Sequence, residues 1–471
     1  MQRKTKIVAT ISDKNCDPLF LKELHRAGMD VVRLNTAHQT HEDALKVIKN
    51  VRKISEHIAI LIDTKGPEIR TCDAVQPLKV VHGDSIRIKG APGETSREDI
   101  ICVTYDHFVK DVPVGSSILI DDGSIALTVT SGDGEFLTCS VENDGVIHGK
   151  KSINIPSVHV TLPALSEKDK GFIRFAADNG VDFIAHSFVR HSADVQAVQR
   201  ILDEKKSRAK IIAKIENSQG VDNLDEILGS AYGIMIARGD LAVEIPAERI
   251  PLVQKEMVKK CIERRSPVIV ATQMLHSMME SPRPTRAEVS DVANACLDHA
   301  DALMLSGETA TGAYPVIAVE TMARIAEEVE SNRSTFIDVP YTIDNKVTAY
   351  LAKAAVKASM RLNTRAIVAD SMSGNTIRAI AAYRGDNVIY AQVYDRRVMR
   401  ELALSFGVKA AFIQRAEASS QPIRHAILRL TRENRFSPQD LITVLAGNFG
   451  EKHGASYIEI SAADSFKINE C

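Results

Sequence analysis

Lys210-Ile211-Ile212-Ala213-Lys214-Ile215-Glu216-Asn217 is the stretch whose reading decides the fold. Its apolar run, charged at both ends, reads as a buried strand over Lys210–Lys214 that delivers polar side chains at its C-terminal end. Similar runs follow at Gly233–Ala237, Pro267–Thr272 and Ala302–Leu305, and one precedes at Phe183–Ala185, with helical segments between them. The same alternation opens the chain: strands at Lys6–Ile11, Asp30–Leu34 and Ile58–Asp63, helices at Pro18–Gly28 and His41–Ser55. Together these make eight strand–helix units, the pattern of a (β/α)8 TIM barrel.

Between the third and fourth strands the pattern breaks. Short β-like runs at Leu78–Val81, Ser85–Ile88, Ser117–Ile120, Ala126–Val129 and Phe136–Val141 are separated by Gly, Asp and Pro, the signature of a small β-barrel inserted in the larger fold. Beyond about residue 334 a separate α/β layer begins, with a helix at Tyr350–Arg361 and strands at Ala366–Ala369, Asn387–Val393, Ala411–Gln414, Leu441–Leu445 and Tyr457–Ile460. The expected division is therefore a barrel over 1–70 and 159–333, an inserted lid over 71–158 and a C-terminal α/β domain over 334–471.

Composition removes several classes of function. With 59 basic and 61 acidic residues the net charge is −2, which gives no basic surplus for nucleic acid or membrane binding. The seven cysteines are scattered, with no Cys-x-x-Cys pair and no zinc spacing, so a disulfide framework is not expected. No run reaches the length of a membrane span or a signal-peptide core, and the expected location is cytoplasmic.

In a barrel of this type the active site lies at the C-terminal ends of the strands. There the sequence places Arg33 and Asn35, Asp63-Thr64-Lys65, Ser187, Lys214 and Glu216, Arg238-Gly239-Asp240, and Thr272. Side chains alternate along a strand, so Arg33 and Asn35 share a face, as do Lys214 and Glu216. Cations held beside carboxylates suit phosphoryl transfer, where positioning and electrostatic stabilisation do the catalysis. Glu216 and Asp240, from adjacent strands and with no nearby His or Cys, suit Mg²⁺ (or Mn²⁺). Plainer readings stand beside these. Asp63 or Asp240 is a helix N-cap, Lys214 a structural partner of Glu216, Arg33 a loop clamp. His186 reads as a hydrogen-bonded structural histidine, and Met274, Met278 and Met279 as packing.

The longer motifs resemble those of the pyruvate kinase family over essentially the whole chain. They are Asp63-Thr64-Lys65-Gly66-Pro67-Glu68-Ile69-Arg70, Lys214-Ile215-Glu216-Asn217, Ala237-Arg238-Gly239-Asp240-Leu241, Ala271-Thr272-Gln273-Met274-Leu275, Arg283-Pro284-Thr285-Arg286-Ala287-Glu288 and Met304-Leu305-Ser306-Gly307-Glu308-Thr309. The resemblance implies phosphoenolpyruvate and ADP/ATP as substrates and a homotetramer. It implies that Lys214 stabilises the phosphoryl group in transit, and that Glu216 and Asp240 hold the divalent metal. Ala237, Arg238, Gly239 and Asp240 would cradle the substrate carboxylate at a helix start. Thr272 and Ser306 would belong to the proton path to enolpyruvate. Arg33, Asn35 and Arg70 would serve the phosphates and nucleotide, with Lys151 reaching in from the inserted domain. A monovalent cation, usually K⁺, would sit at Asn35, Asp63 and Thr64.

The departures define what the resemblance leaves open. Ala37 stands where the family has a serine that helps hold K⁺ (Arg33-Leu34-Asn35-Thr36-Ala37-His38), so a water or the Thr36 hydroxyl is the expected substitute. Glu68 accompanies K⁺-dependent members. Thr10-Ile11-Ser12-Asp13 differs from the family near the nucleotide, Ala242 replaces a glycine, and Thr311 replaces a lysine. In the C-terminal domain Ser371, Ser373, Gly374, Asn375 and Thr376 form the loop that binds a sugar-phosphate effector in the family, with Asn375 where a basic residue is common; a plain capped turn is the alternative. Two rivals remain: a Schiff-base lyase using Lys214, and a metabolite-binding regulatory homologue without turnover.

Overall fold

The computed structural model describes residues 3–37, 39–97, 99–156, 158–332, 336–340, 345–414, 422–447 and 454–466. The expected boundary at Arg333–Ser334, as well as His38 and Cys471, lies outside them.

Eight short strands whose residues are nearly all buried close into a barrel. They are β1 (Lys6–Thr10), β2 (Val31–Asn35), β3 (Ala59–Asp63), β4 (Phe183–His186), β5 (Lys210–Ile215), β6 (Gly233–Ala237), β7 (Val268–Ala271) and β8 (Ala302–Leu305). Every pairing is parallel and each strand neighbours its successors in sequence, with β8 closing on β1. Alternation along the strands divides the core in two. Val8, Val31, Leu61, Phe183, Ile212, Met235, Ile269 and Met304 fill the barrel's interior. Ile7, Ala9, Val32, Ile60, Ile184, Ala213 and Ile234 belong to the cluster formed with the helices. The first helix, Pro18–Ala27, is capped by the Asp17 side chain and ended by Gly28 at φ +127°, the glycine stop expected from sequence.

The inserted segment is a seven-stranded sheet with a separate two-stranded pair, Leu78–Val80 against Gly145–Ile147, and it begins earlier than the sequence expectation: Ile69–Arg70 already pairs with Ser152–Ile153. A bridge between Thr71 and Val103 brings together the two edges of the seven-stranded sheet. Further strands at Ile100–Val103, Gly145–Ile147 and Ser152–Asn154, of three or four residues each, are not among the runs read from the sequence. A four-residue helix at Phe108–Asp111, where no helical pattern is visible, buries Phe108 in this domain's core.

In the C-terminal domain β9 (Ala366–Ser371), β10 (Ile389–Val393), β11 (Val408–Phe412), β12 (Leu441–Ala446) and β13 (Tyr457–Ala462) form one sheet in the order β11-β10-β9-β12-β13. β11 starts three residues before the expected Ala411. Gly407, at φ +69°, makes the turn, and Val408 enters register with Ile389 directly after it. This domain docks on the N-terminal face of the barrel, opposite the site. Arg384 Nη2 donates to Asp301 Oδ2 at 2.7 Å, both fully buried, and Leu404 joins the cluster that fills the barrel's interior.

Candidate functional site

Lys214 sits at the C-terminal end of β5, buried, with its ammonium in contact with three acceptors. Nζ is 3.0 Å from Asp63 Oδ1, 2.9 Å from Glu216 Oε1 and 2.6 Å from Ser187 Oγ. An ammonium has three protons, so each acceptor takes one. Burial disfavours its charge, but the Asp63 and Glu216 carboxylates outweigh burial and hold its pKa above the ordinary value. Such a lysine stays protonated and is no nucleophile, which removes the Schiff-base reading.

Asp63 anchors the other side. Arg33 Nε donates to its Oδ2 at 2.7 Å and Arg33 Nη1 to Thr10 Oγ1 at 3.0 Å. Burial raises the Asp63 carboxyl, yet Lys214 and Arg33 together carry it below its usual value. Asp63 is therefore a buried double ion-pair partner and not the N-cap that sequence left open. Asp240 is not an N-cap either: it lies in the first turn of the helix Arg238–Glu244, whose cap residue is Ala237.

Glu216 and Asp240 interact with each other, and burial raises both carboxyls, Glu216 to about 7. Phe188 N donates to Glu216 Oε2 at 2.6 Å. Among the described residues no group of three or more His, Cys, Asp or Glu is placed to hold a metal. Two buried carboxylates whose negative charge is poorly compensated nevertheless fit a hard divalent cation that takes its other oxygens from substrate and water. Arg33 and Lys214 face three carboxylates here, so the cluster is one positive charge short before any ligand arrives.

Thr272 and Gln273 follow β7 with φ of +71° and +55°, an unusual left-handed pair of non-glycine residues. Thr272 Oγ1 accepts from Gly239 N at 2.8 Å and donates to the Ala271 carbonyl at 2.6 Å. Ser306 follows β8, and its amide donates to Glu308 Oε2 at 2.8 Å while Leu275 N donates to Glu308 Oε1 at 3.1 Å, so one buried carboxylate ties the two loops.

Other expected residues fall differently. The Arg238 guanidinium makes a two-pronged pair with Asp291, at 2.7 Å for each bond, so this residue offers the site its backbone and not its side chain. Lys151 pairs with Asp121 at 2.9 Å within the inserted domain. Arg70 Nη2 donates to Glu68 Oε2 at 2.9 Å, away from the Lys214 cluster. Thr64 Oγ1 accepts from Ser187 N at 3.1 Å, and Asn35 Oδ1 from Ala37 N at 3.1 Å. Thr36 is fully buried and its hydroxyl donates to the Asp63 carbonyl at 2.8 Å, which leaves water as the simpler substitute for the missing serine. His186 is buried, but neither ring nitrogen has a hydrogen-bond partner; this corrects the expectation of a hydrogen-bonded histidine, and burial lowers it to about 4, so it is neutral. Met274 and Met278 are fully buried packing residues, as expected.

In the C-terminal loop Gly374 adopts φ +79° and its amide donates to Ser371 Oγ at 2.9 Å. Asn375 and Thr376 begin a helix that runs to Ala382. A cation, Arg378, lies one turn on from Asn375. Arg378 reaches back to Asn375 Oδ1 and to the Ser373 carbonyl at 3.3 Å, and its Nη1 donates to Tyr232 Oη of the barrel at 3.1 Å. The i, i+3 spacing from Asn375 was the available signal.

A protonated lysine, an arginine and a metal-suited pair of carboxylates at the mouth of a (β/α)8 barrel define a phosphotransferase site. Comparison with known proteins is specific. Residues 2–319 match the family model described as pyruvate kinase, barrel domain, and 350–461 match pyruvate kinase, alpha/beta domain. The chain is 46% identical over 470 residues to the pyruvate kinase of Borreliella burgdorferi, with 98% of each chain covered. It is 43% identical over 459 residues to that of Bacillus licheniformis, covering 95% of this chain and 78% of the relative. A crystal structure of a pyruvate kinase from Cryptosporidium parvum superposes with a TM-score of 0.91 at 36% identity, covering 98% of this chain and 96% of the other. The chain belongs to the pyruvate kinase family. Its activity is transfer of the phosphoryl group of phosphoenolpyruvate to ADP, giving ATP and pyruvate, and nothing favours a homologue without turnover. The family generally uses a divalent metal and K⁺.

Proposed function

We propose the following division of labour within this reaction. Lys214 and Arg33 neutralise the phosphoryl group as it leaves phosphoenolpyruvate. The Lys214 ammonium, held charged at the centre of the carboxylate cluster, is the observation that carries the reading. Glu216 and Asp240 hold Mg²⁺ or Mn²⁺, which when bound supplies positive charge to the substrate oxygens. The backbone of Ala237, Arg238, Gly239 and Asp240 receives the substrate carboxylate, which then competes with Thr272 Oγ1 for the Gly239 amide. Enolpyruvate takes a proton at C3 by a path that includes Thr272 and Ser306. Arg70, Lys151 and Asn35 serve the nucleotide; Lys151 and Arg70 leave their partners Asp121 and Glu68 to do so.

K⁺ binds at Asn35, Asp63 and Thr64, with water in place of the serine oxygen lost at Ala37. The test is pyruvate formation from phosphoenolpyruvate and ADP with Mg²⁺, in K⁺ and in tetramethylammonium. Activity at least about tenfold higher in K⁺ is expected. Equal rates would retire the K⁺ site and leave the rest of the reading standing.

Ser371, Ser373, Gly374, Asn375 and Thr376, with Arg378, bind a sugar-phosphate effector. Arg378→Ala is expected to weaken sugar-phosphate activation about tenfold while leaving the rate without effector nearly unchanged, read from activation curves. Unchanged curves would favour the plain capped turn. The chain works as a homotetramer in the cytoplasm; among the described residues no helix is long and apolar enough to cross a membrane.

A further inference from the structure

The inserted sheet and the helix Arg238–Glu244 face each other across a cleft of about 110 Å³, lined in part by Asp122 and Asn154 on one side and Phe188, Asn217, Asp240 and Glu244 on the other. Among the described residues one side-chain hydrogen bond joins the inserted sheet to this helix: Asn154 Nδ2 donates to Glu244 Oε1 at 2.9 Å. Glu244 is the last residue of the helix whose first turn carries Asp240, so a pull on it bears on the whole short element. Asn154 ends the strand Ser152–Asn154, whose first residue also bonds Asp122 through Ser152 Oγ at 2.7 Å.

We infer that Asn154 and Glu244 are positioning residues for phosphoryl transfer: their hydrogen bond latches the inserted domain over the Asp240 helix and so sets the spacing of the walls that nucleotide meets. Neither touches the reacting atoms. Their effect is to hold the two walls at the spacing that transfer needs and to keep water from taking the phosphoryl group in place of ADP. Burial raises the Glu244 carboxyl and the Asn154 donor opposes that rise, as a bond to the charged form should. The inference rests on placing transfer in the cleft beside Asp240.

The test is a suppressor pair. Asn154→Asp sets two carboxylates against each other and is expected to raise KM for ADP about tenfold, with KM for phosphoenolpyruvate changed less than about threefold. The fraction of phosphoenolpyruvate hydrolysed to pyruvate and inorganic phosphate, relative to ATP formed, should rise at least about threefold. Adding Glu244→Gln reverses donor and acceptor at constant charge and should bring KM for ADP back to within about threefold of the starting value. Glu244→Gln alone keeps a neutral hydrogen bond and should be mild. An Asn154→Asp protein whose KM for ADP stays within about twofold overturns the latch. So does failure of the second substitution to restore it, or an equal shift in both KM values, the mark of a merely structural role. Asp240→Asn serves as the control: if transfer survives it, the cleft assignment itself is wrong; if transfer collapses while the Asn154 variant behaves normally, only the latch is.

Discussion

Lys214→Met is expected to lower kcat for ATP formation about 1,000- to 100,000-fold while leaving KM for phosphoenolpyruvate within about tenfold. The reason is the position of the charge. Lys214 Nζ is 2.9–3.0 Å from two carboxylates and 2.6 Å from Ser187 Oγ, so the ammonium sits where phosphoryl charge must be met and is kept protonated by its neighbours. Methionine fills a similar volume without charge. Asp63 retains Arg33, but Glu216 loses its cation and relies on Phe188 N and the metal. The substituted protein should therefore bind the divalent metal at least as well. Thr272 and Ser306 lie in the loops after β7 and β8 and keep their bonds, so exchange of pyruvate C3 protons with solvent should fall less than about tenfold. Nuclear magnetic resonance of that exchange, beside a coupled assay of ATP formation, separates the two steps. Equal loss of both would mean that Lys214 acts on the architecture of the site and not on the phosphoryl group.

The barrel was readable because its strands are buried on both faces and so appear as near-continuous apolar runs ending in polar residues; β6 and β8 have the bounds that the sequence suggests. Arg33, Asp63, Lys214 and Glu216 were legible as a convergent set for the same reason, since the ends of parallel strands meet at one mouth. What sequence could not supply were the partners across chain distance. Ser187 as an acceptor for Lys214, Asp291 as the clamp on Arg238 and Glu308 as the tie between the loops of Thr272 and Ser306 all depend on register between strands or on helix packing. Three strands of the inserted domain, two or three residues each, offer too little alternation to stand out from their loops, although the equally short Leu78–Val80 was legible. His186 was misread because burial follows from strand pattern, whereas hydrogen-bond partners do not.

The second large effect belongs to the opposite face of the barrel. Arg384→Met is expected to destabilise the protein by about 3–5 kcal/mol, since it leaves the buried Asp301 carboxylate without its cation. Asp301 also accepts from Phe406 N at 3.0 Å and from Val268 N at 3.1 Å, and these amides, with the charge of nearby Lys6, would offset its charge only in part. Asp301 immediately precedes β8, and Phe406 lies just beyond Leu404, the residue of the C-terminal domain that fills the lower end of the barrel's interior. One carboxylate thus fixes a strand of the catalytic barrel, the cation of the C-terminal domain and the turn that carries the plug. Leu404→Ala removes the plug without touching the ion pair and should cost about 2–5 kcal/mol through the cavity it leaves. Because the plug and the ion pair share the same turn, the two losses should not add: the double variant should fall short of the sum by more than about 0.5 kcal/mol. Urea unfolding followed by fluorescence of the nine tyrosines, the chain having no tryptophan, reads both variants. Full additivity would mean that the ion pair and the plug stabilise the docked domain independently, and that the C-terminal domain is held to the barrel by two separate contacts instead of one cooperative joint.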